Sequence, residues 1–300
     1  MDFYKKIIKN KKTRFWLLSL LRFVPDKPML RFQYRIKCGR KLNLKDPQRY
    51  TEKMQWYKLY YRNPVMTPTA DKYQVRGYLQ SKGLGHILND LYEVFETPEQ
   101  ICLDNLPERF VLKLSNGSST NLLYEDKSKL DLSQVQQTFW DFYAQSGSSA
   151  GREWVYRGGK PVVVAEQYLS DPSQPNGALR DYKILCFNGK PEFIICVDGR
   201  YTEHYCHVVY DTQWHKQDVV IGDSSAAADY ARPDTLDQML EIAKKLSADF
   251  PAVRVDLYSI EGKIYFGELT HFPWSGYMRF RPDEFDYRLG SKFQLPERNH

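Results

Sequence analysis

The segment 253–270 constrains the fold of this 300-residue chain more than any other, because it has the alternation of a β-hairpin. Residues 253–258 read VRVDLY and residues 264–270 read IYFGELT. Successive side chains of a strand point to opposite faces of its sheet. We therefore expect a hairpin with one apolar, buried face and one face that carries Asp256 and Glu268.

The turn of this hairpin decides whether the two carboxylates meet. A three-residue turn at 261–263 places Asp256 opposite Glu268, whereas a two-residue turn changes the register and separates them. Opposed carboxylates repel each other unless a cation lies between them, and Mg²⁺ takes carboxylate oxygens together with substrate phosphates. The hairpin alone leaves two alternatives: a magnesium site, or two unrelated carboxylates that face solvent.

Two lysines on upstream strand patterns could meet phosphate groups. Lys113 lies in the run FVLKL at 110–114, directly before a loop rich in small polar residues, and Lys183 lies in the run RDYK at 180–183. Such a loop offers backbone N–H groups to phosphate oxygens, and lysine supplies a compact positive charge. The alternative for each lysine is a solvated strand residue. The loop residues that we assign to phosphate binding are Ser115, Asn116, Gly117, Ser118 and Ser119.

The apolar run VVVA at 162–165 continues into Glu166 and, two residues later, Tyr168. A run of this length and composition is typical of a strand buried on both faces. An apolar strand that ends in a carboxylate suits a slot for adenine, with the base edge read by the backbone and the ribose hydroxyls bound by Glu166. We assign Glu166 and Tyr168 to this nucleotide-binding segment.

The remaining pattern predicts helices interspersed with short strands. The pair Asn188-Gly189 predicts a hairpin over 181–197. No regular alternation of strand and helix and no internal repeat is present, so the predicted class is α+β. Helical spacing of apolar residues occurs over 51–61, 71–82, 133–144 and 234–248.

Several common catalytic motifs are missing from the sequence. It has no G-x-x-x-x-G-K-[ST], no G-x-G-x-x-G and no H-E-x-x-H. It also lacks D-x-D, which counts against a sugar-nucleotide transferase. Residues 147–151 match G-x-S-x-G, but the hydrolase elbow needs a strand before it and a helix after it, whereas a helical pattern precedes it here.

The five cysteines favour a reducing compartment. Their number is odd and no pair has C-x-x-C spacing, so neither a disulfide scaffold nor a zinc or redox pair is expected. We therefore expect a cytoplasmic protein. The cysteines are Cys38, Cys102, Cys186, Cys196 and Cys206.

The first 45 residues form a basic head on an acidic body. They hold 14 Lys and Arg against two Asp, a net charge of +12, so the +6 of the whole chain leaves −6 for the remainder. The apolar run at 15–24 is too short to span a bilayer, and no small-x-small cleavage site follows it. This head could lie on an anionic membrane surface, or form a helix that packs on the body. No nucleic-acid motif accompanies the charge, so no nucleic acid is expected as a partner.

The order of these features resembles the ATP-grasp enzymes, and in particular the TupA-like ATP-grasp family, which is linked to bacterial surface polysaccharides such as teichuronopeptide. The order is a lysine before a Gly/Ser loop, an apolar strand ending in Glu, a second lysine, and Asp and Glu on a C-terminal hairpin. The resemblance covers about residues 45–290. The stretches that carry it are 71–76, 110–113, 181–183, 253–258 and 265–270.

The resemblance implies an ATP-grasp fold in which two α+β subdomains clasp ATP. A basic helical segment would occupy residues 1–65. The N-terminal subdomain with the phosphate loop would occupy 66–160, and the C-terminal subdomain with the metal site 161–300. By the same resemblance Lys113 and Lys183 would hold phosphates of ATP, the loop would close over them, and Glu166 would bind ribose.

The metal and catalytic roles also come from the resemblance. Asp256 and Glu268 would hold Mg²⁺, and Arg254 would face the transferring phosphoryl group, with Lys183 as the second catalytic candidate. Many ATP-grasp enzymes have Asn two residues after the metal-binding Glu, and this chain has Thr270 there. Threonine is a weaker ligand, so we expect a metal shell that relies more on water.

The activity implied is an ATP-dependent ligase that joins a carboxylate to an amine through an acyl phosphate and converts ATP to ADP and phosphate. The polysaccharide link indicates a uronic acid of a capsule, lipopolysaccharide or O-antigen as the acid, and an amino acid or peptide as the amine. If the glycan is lipid-linked, the basic head would hold the enzyme at the inner face of the cytoplasmic membrane. The alternatives are a polysaccharide kinase, a glycosyltransferase of the same pathway, and a membrane-bound scaffold without activity.

Overall fold

A computed structural model describes residues 23–117, 120–146, 150–157, 159–199, 205–224 and 228–300. The apolar run predicted at 15–24 therefore lies outside the described residues except for its last two. None of the described helices is both long and apolar enough to cross a bilayer.

Two helices lead into the body of the protein. Helix α1 (Asp26–Cys38) ends at Gly39, whose φ of 72° is the left-handed conformation common after a helix. Its buried side packs Leu30 and Tyr34 against Tyr277. Helix α2 (Tyr50–Tyr60) begins where the Glu52 carboxylate accepts hydrogen bonds from the backbone N–H groups of residues 48 and 49.

A buried aspartate fastens the start of α2 to the C-terminal helix. Asp286 accepts hydrogen bonds from the Thr51 backbone N–H at 3.0 Å and from the Thr51 hydroxyl at 2.7 Å. Tyr34 lies 2.8 Å from the same hydroxyl. Burial raises the pKa of Asp286 to about 6, against the opposing effect of its bonds with Thr51. Residues separated by more than 200 positions are thus joined at one point.

A helix covers one face of the smaller of the two main sheets. The elements of this part are α3 (Met66–Ala70), α4 (Val75–Ser81), β1 (Leu91–Phe95), β2 (Phe110–Leu114), β3 (Asn121–Tyr124), α5 (Leu132–Gln145) and β4 (Val163–Gln167). The antiparallel strands run in the order β1-β4-β2-β3. One face packs Phe110 and Leu112 against Val135 and Phe139 of helix α5. Since side chains alternate along a strand, Lys113 and its neighbours on β4 lie on the other face, which we call the inner face.

The larger sheet forms the main core. The elements of this part are β5 (Asp181–Phe187), β6 (Lys190–Asp198), β7 (Cys206–Asp211), β8 (Val220–Ile221), α6 (Leu236–Ser247), β9 (Ala252–Ile260), β10 (Lys263–Thr270), β11 (Phe280–Arg281) and α7 (Glu284–Lys292). The five antiparallel strands of the sheet run in the order β10-β9-β5-β6-β7, and strands β8 and β11 form a separate pair. Helix α6 packs on the five-stranded sheet through an apolar stripe that includes Met239 and Leu246.

These elements confirm the predicted α+β class. Asn188 and Gly189 form the β5–β6 turn with φ of 50° and 76°, as a two-residue hairpin turn requires. The predicted helix at 71–82 is shorter than expected, because Asp71 caps the turn before α4 by accepting the N–H groups of residues 73 and 74. A helix precedes the G-x-S-x-G sequence as predicted, while residues 147–149 lie outside the described part.

Core packing does not follow the order of the chain. Side chains of α2, α3 and α4 belong to the same hydrophobic core as the five-stranded sheet, including Met54, Met66 and Leu79. The smaller sheet and α5 form a core of their own. The subdomain boundaries at 65/66 and 160/161 stay a prediction.

We expect Asp286 to make stability depend on pH between about 4 and 6. A carboxyl whose pKa is raised in the folded state contributes most when protonated, so its contribution is complete below the ordinary pKa of 3.8 and is lost as pH rises through about 6. Urea unfolding should show the free-energy difference between the unmodified protein and Asp286→Asn declining by roughly 1 to 3 kcal/mol over this window. A constant difference would contradict the assignment.

Candidate active site

The β9–β10 hairpin brings two carboxylates together by an unexpected route. Of the two turn lengths that the sequence left open, the structure has the shorter: Ile260 pairs with Lys263, so the turn is the two residues 261–262, with φ of 49° and 79°. Asp256 nevertheless lies opposite Glu268, because the register shifts by one residue between Phe266 and Glu268. This β-bulge restores the alignment that a two-residue turn would otherwise destroy.

Gly267 is the residue that the bulge leaves unpaired. A Cβ atom there would lie 3.0 Å from the backbone oxygen of Asp256 and 3.2 Å from the ring of Tyr258. Only a residue without a side chain fits this approach without displacing its neighbours. The glycine between Phe266 and Glu268 therefore has a geometric function at the site.

The Arg254 guanidinium connects the polar side chains of this face. It donates from Nε to Asp256 Oδ1 at 2.6 Å and from Nη2 to Asp256 Oδ2 at 2.7 Å. The same Nη2 donates to Glu268 Oε1 at 2.7 Å and to Thr270 Oγ1 at 2.9 Å. Burial disfavours the charge of Arg254, but Asp256 and Glu268 together raise its pKa above the ordinary value. The arginine is therefore a permanent cation.

Lys183 enters the same cluster from the neighbouring strand. It pairs with Asp256 in the β5–β9 register, and its ammonium group forms ion pairs with Asp256 and, at 3.5 Å, with Asp181. Burial raises the pKa of Asp256, although Arg254 and Lys183 act in the opposite direction. Burial would also raise the pKa of Glu268, but Arg254 and Lys183 hold it well below its usual range. The candidates on three strands thus form one charged group.

The oxygen atoms of this group fit a small divalent cation. Asp256 Oδ2 and Glu268 Oε1 each lie 2.7 Å from one nitrogen of Arg254, so a single ion could contact both. Within the described ranges no cluster of three or more His, Cys, Asp and Glu could hold a metal alone. Mg²⁺ does not need one, because phosphates and water complete its shell.

His271 lies outside the face of the hairpin that carries Asp256 and Glu268. Its Nε2 lies 2.9 Å from Thr69 Oγ1, and its ring packs on Phe250 with centroids 4.8 Å apart. Burial lowers the pKa of His271 to about 3, so the ring is neutral. Thr270, by contrast, faces Arg254 and Glu268, as predicted from strand alternation.

The two upstream candidates Lys113 and Glu166 form an ion pair on the inner face of the smaller sheet. Their charged atoms lie 2.7 Å apart, and Asn89 and Arg76 approach the same carboxylate at 3.3 Å and 3.5 Å. Burial would raise the pKa of Glu166, but Lys113 and these partners lower it. Glu166 is therefore an anion held in a fixed position.

The start of the predicted phosphate loop is tied to residues that sequence reasoning did not assign. The Ser115 hydroxyl donates to Asp71 at 2.6 Å, and the Lys72 backbone N–H donates to the Ser115 oxygen at 2.8 Å. The Lys72 ammonium group donates to the Gly117 oxygen. Asn116 belongs to the same described stretch, whereas Ser118 and Ser119 lie outside the described residues.

Tyr168 contacts residues other than those around Glu166. Its hydroxyl donates to Glu125 at 2.8 Å, and the Arg109 guanidinium lies 4.4 Å from its ring centroid. The cleft described next is lined by Gly117 but not by Tyr168, Lys113, Ser115, Asn116 or Glu166. The assignment of these residues to nucleotide binding stays a prediction.

A cleft of about 720 Å³ opens over the charged group. One wall carries the cations Lys72, Lys183 and Arg254 together with Glu268 and Thr270. Lys72 was missed as a site residue, although it lies in the sequence stretch 71–76 that carries the family resemblance. Six further lining residues were not foreseen at all: Glu153, Tyr156, Tyr205, Phe272, Trp274 and Ser275.

We expect the Arg254 network to bind a cation when the arginine is removed. Arg254→Leu breaks a buried ion pair and leaves Lys183 as the remaining cation paired with Asp256, which should cost about 3 to 5 kcal/mol of unfolding free energy. Millimolar Mg²⁺ should restore part of that loss, because the ion can take the place of the guanidinium. Urea unfolding with and without Mg²⁺ measures both effects.

Arg232→Leu is the matched control, since Arg232 forms an exposed pair with Asp237. Its loss should be about 1 kcal/mol or less, with no response to Mg²⁺. An Arg254→Leu protein as stable as this control, or one indifferent to Mg²⁺, would refute the cation site.

Several solved structures are similar to this chain in fold. D-alanine–D-alanine ligase from Bacillus anthracis complexed with ATP has a TM-score of 0.40 and 14% identity, over 73% of this chain and 55% of that one. L-amino acid ligase from Bacillus licheniformis has a TM-score of 0.43 and 18% identity, over 90% and 57%. An ADP complex of N5-carboxyaminoimidazole ribonucleotide synthetase has a TM-score of 0.44 and 10% identity, over 69% and 46%. The chain thus spans about half the length of these proteins.

The sequence itself gives the family. No curated protein matches the chain. Residues 52–294 match the model of the family described as TupA-like ATPgrasp, and ATP-grasp enzymes use ATP and Mg²⁺. Because this match covers well over half of its residues, the chain belongs to the TupA-like ATP-grasp family.

Proposed function

We propose that this protein is an ATP-dependent ligase that joins a carboxylate to an amine. The observation that carries the proposal is the Arg254 network, in which one guanidinium contacts Asp256, Glu268 and Thr270 at the wall of the cleft. Lys183 and Lys72 add positive charge to the same wall. Preorganised cations of this kind stabilise charge that spreads over a phosphoryl group during its transfer.

The inner face of the smaller sheet suits the nucleoside part of ATP. Lys113 and Glu166 lie there as a fixed ion pair, beside the buried side chains of Val111 and Val164. Apolar strand surface can cover a base, and the Glu166 carboxylate can accept hydrogen bonds from ribose hydroxyls. We assign Lys113 and the loop that begins at Ser115 to the phosphates.

The remaining residues have roles in phosphoryl transfer. A substrate carboxylate oxygen attacks the γ-phosphorus, the new O–P bond forms, and the bond to the ADP oxygen breaks. Arg254 and Lys183 would neutralise the transferring group. Mg²⁺ held by Asp256 and Glu268 would neutralise the β- and γ-phosphate oxygens.

An amine completes the reaction without a nucleophile from the protein. The nitrogen of the unprotonated amine attacks the carbonyl carbon of the acyl phosphate and the C–N bond forms. Phosphate leaves with the electron pair of the C–O bond, and the nitrogen loses a proton to water or to the leaving phosphate. Catalysis then consists of positioning and charge stabilisation. This agrees with a site in which the described side chains are ion-paired cations and carboxylates.

The proposed acid is a uronic acid of a bacterial surface polysaccharide, and the proposed amine is an amino acid or peptide. Support for the polysaccharide comes from the TupA-like family and its link to teichuronopeptide. A phosphorylated sugar hydroxyl is the product expected of a kinase instead, and transfer from a sugar nucleotide is expected of a glycosyltransferase. Product analysis separates the three reactions.

The first prediction concerns nucleotide binding. Mg·ADP at about a hundred times its dissociation constant should add about 2.7 kcal/mol of stability and raise the unfolding midpoint by roughly 4 °C. Glu268→Gln should remove most of this shift, because it takes one anionic ligand from the metal. The exposed Glu241→Gln is the control and should keep the full shift. A shift with sugar nucleotides and none with Mg·ADP would favour the glycosyltransferase and contradict the ligase.

Membrane attachment through the basic head is a second part of the proposal. Phe32 and Ile36 are 57% and 41% exposed, one turn apart on α1. Arg31 and Arg35 flank them in the sequence. Apolar side chains edged by basic ones suit an anionic lipid surface. A cytoplasmic enzyme held at the inner face of the membrane could reach a lipid-linked glycan.

Deletion of residues 1–22 together with Phe32→Ser and Ile36→Ser should release the protein from phosphatidylglycerol vesicles in a sedimentation assay. The deletion spares Asp26, which pairs with Arg152 at 3.0 Å and Arg157 at 3.1 Å, so the fold should remain. Binding by the intact chain should fall with added salt and be absent on neutral vesicles. Equal binding by both chains would remove the head from the proposal.

A further inference from the structure

Part of the cleft lining has a different chemistry from that of the cations. It includes the Glu153 carboxylate and the Ser275 hydroxyl, which donates to Glu153 at 3.0 Å. Three aromatic side chains line the same cleft: Tyr156, Tyr205 and Trp274. We name these five residues the acceptor wall. The lining of the cleft thus combines cations with a second group made of an anion and aromatic rings.

The backbone of the acceptor wall is held in an unfavourable conformation. Trp274 and Ser275 have φ of 49° and 55°, followed by Gly276 at 70°. A residue other than glycine in this left-handed region costs about 1 kcal/mol or more. Such strain persists only where surrounding contacts enforce it, and it occurs most often at ligand sites.

Two buried side chains of α2 enforce the strained turn. Gln55 donates to the backbone oxygens of Ser275 at 3.0 Å and Gly276 at 2.9 Å. Lys58 donates to the Ser275 oxygen and to the Gly151 oxygen, each at 2.8 Å. Lys58 therefore ties the segment that carries Glu153 to the turn that carries Trp274. These hydrogen bonds fix the position of the Glu153 segment relative to the turn with Trp274.

The strained turn holds the Trp274 ring beside the Arg254 guanidinium. The Trp274 side chain is 38% exposed, and the Arg254 guanidinium lies 5.1 Å from its ring centroid. Burial, together with the carboxylates of Glu153 and Glu268, raises the pKa of Tyr156. The Tyr156 phenol is therefore neutral and lies in the field of both carboxylates. The acceptor wall adjoins the phosphoryl-transfer site directly.

We propose that Glu153, Tyr156 and Trp274 form the subsite that binds the ammonium group of the amine substrate. A carboxylate beside aromatic faces recognises an organic cation through an ion pair and through attraction to the ring quadrupole. Stacking on a sugar ring would use the Trp274 face but would not require a charged partner. This subsite rests on the proposed ligase function and adds where the amine enters and what selects it.

The polarity of the cleft supports the same assignment. The acid becomes a phosphorylated anion beside Lys72 and Arg254, whereas the amine arrives as a cation beside Glu153. Because Trp274 lies against Arg254, the two substrates are held next to each other, and the amine loses a proton to water before its nitrogen attacks. The Ser275 hydroxyl orients the Glu153 carboxylate, so Ser275 is a positioning residue.

The test measures binding and does not need turnover. Glycinamide is the cationic probe and N-acetylglycinamide its neutral counterpart, each titrated by ligand-observed NMR into protein saturated with Mg·ADP. Glycinamide should bind to this protein, and N-acetylglycinamide should not. Glu153→Gln and Trp274→Leu should each weaken glycinamide binding about tenfold, while affinity for Mg·ADP stays unchanged. Glu241→Gln should change neither.

The possible results separate an amine subsite from a glycan site and from a failure of the ligase function. Equal glycinamide affinity in Glu153→Gln, or no glycinamide binding by the unmodified protein, would overturn the subsite. Binding of methyl glucoside that Trp274→Leu abolishes and Glu153→Gln leaves intact would assign the wall to the glycan and also overturn it. A protein that binds glycinamide and not Mg·ADP would keep the subsite and refute the ligase function.

Discussion

The Arg254 guanidinium is the interaction on which the rest of the site depends. Removing charges from water is costly, and a buried ion pair is maintained only when its geometry is close and its hydrogen bonds are satisfied. Arg254 meets that condition by contacting Asp256, Glu268 and Thr270 from one strand position, while Lys183 compensates Asp256 from the other side. Three strands must therefore keep their register for any of these charges to remain paired. The five-stranded sheet provides this rigidity, because its strand β5, which carries Lys183, is buried along its whole length and pairs with β9, which carries Arg254 and Asp256.

The register itself depends on one glycine. Asn-Gly-like turns of two residues are the tightest way to join antiparallel strands, and the β9–β10 turn at 261–262 is of this kind. That turn alone would put Glu268 out of line with Asp256. The bulge at Gly267 corrects the offset, at the expense of one unpaired residue. A two-residue turn combined with a bulge near the far end of β10 therefore gives the alignment of Asp256 with Glu268 that a three-residue turn would have given.

Strand alternation predicted that Arg254 and Asp256 share a face, as do Glu268 and Thr270, because period two is a local property of the backbone. It did not predict that Phe266 lies on the apolar face, paired with Leu257, or that Asp256 meets Glu268 across a two-residue turn. The bulge at Gly267 is a local deviation that alternation cannot reveal. The β5–β6 hairpin was equally accessible, because Asn188-Gly189 determines its turn. Lys72 and Trp274 were not accessible in this way. Lys72 reaches the cleft through bonds to a loop more than 40 residues away, and Trp274 through a left-handed conformation that no residue in its sequence suggests.

The cations and the acceptor wall of the cleft are held in different ways. Lys183 and Arg254 lie on strands β5 and β9, so their positions depend on the register of the sheet. Four of the five acceptor-wall residues lie on the segments 150–157 and 272–276, which Lys58 of α2 joins by donating to the Gly151 and Ser275 oxygens. Burial lowers the pKa of Lys58 to about 7, although the nearby Glu153 carboxylate acts in the opposite direction. The proposed amine subsite therefore depends on one buried lysine, whereas the proposed phosphoryl-transfer site depends on the pairing of strands.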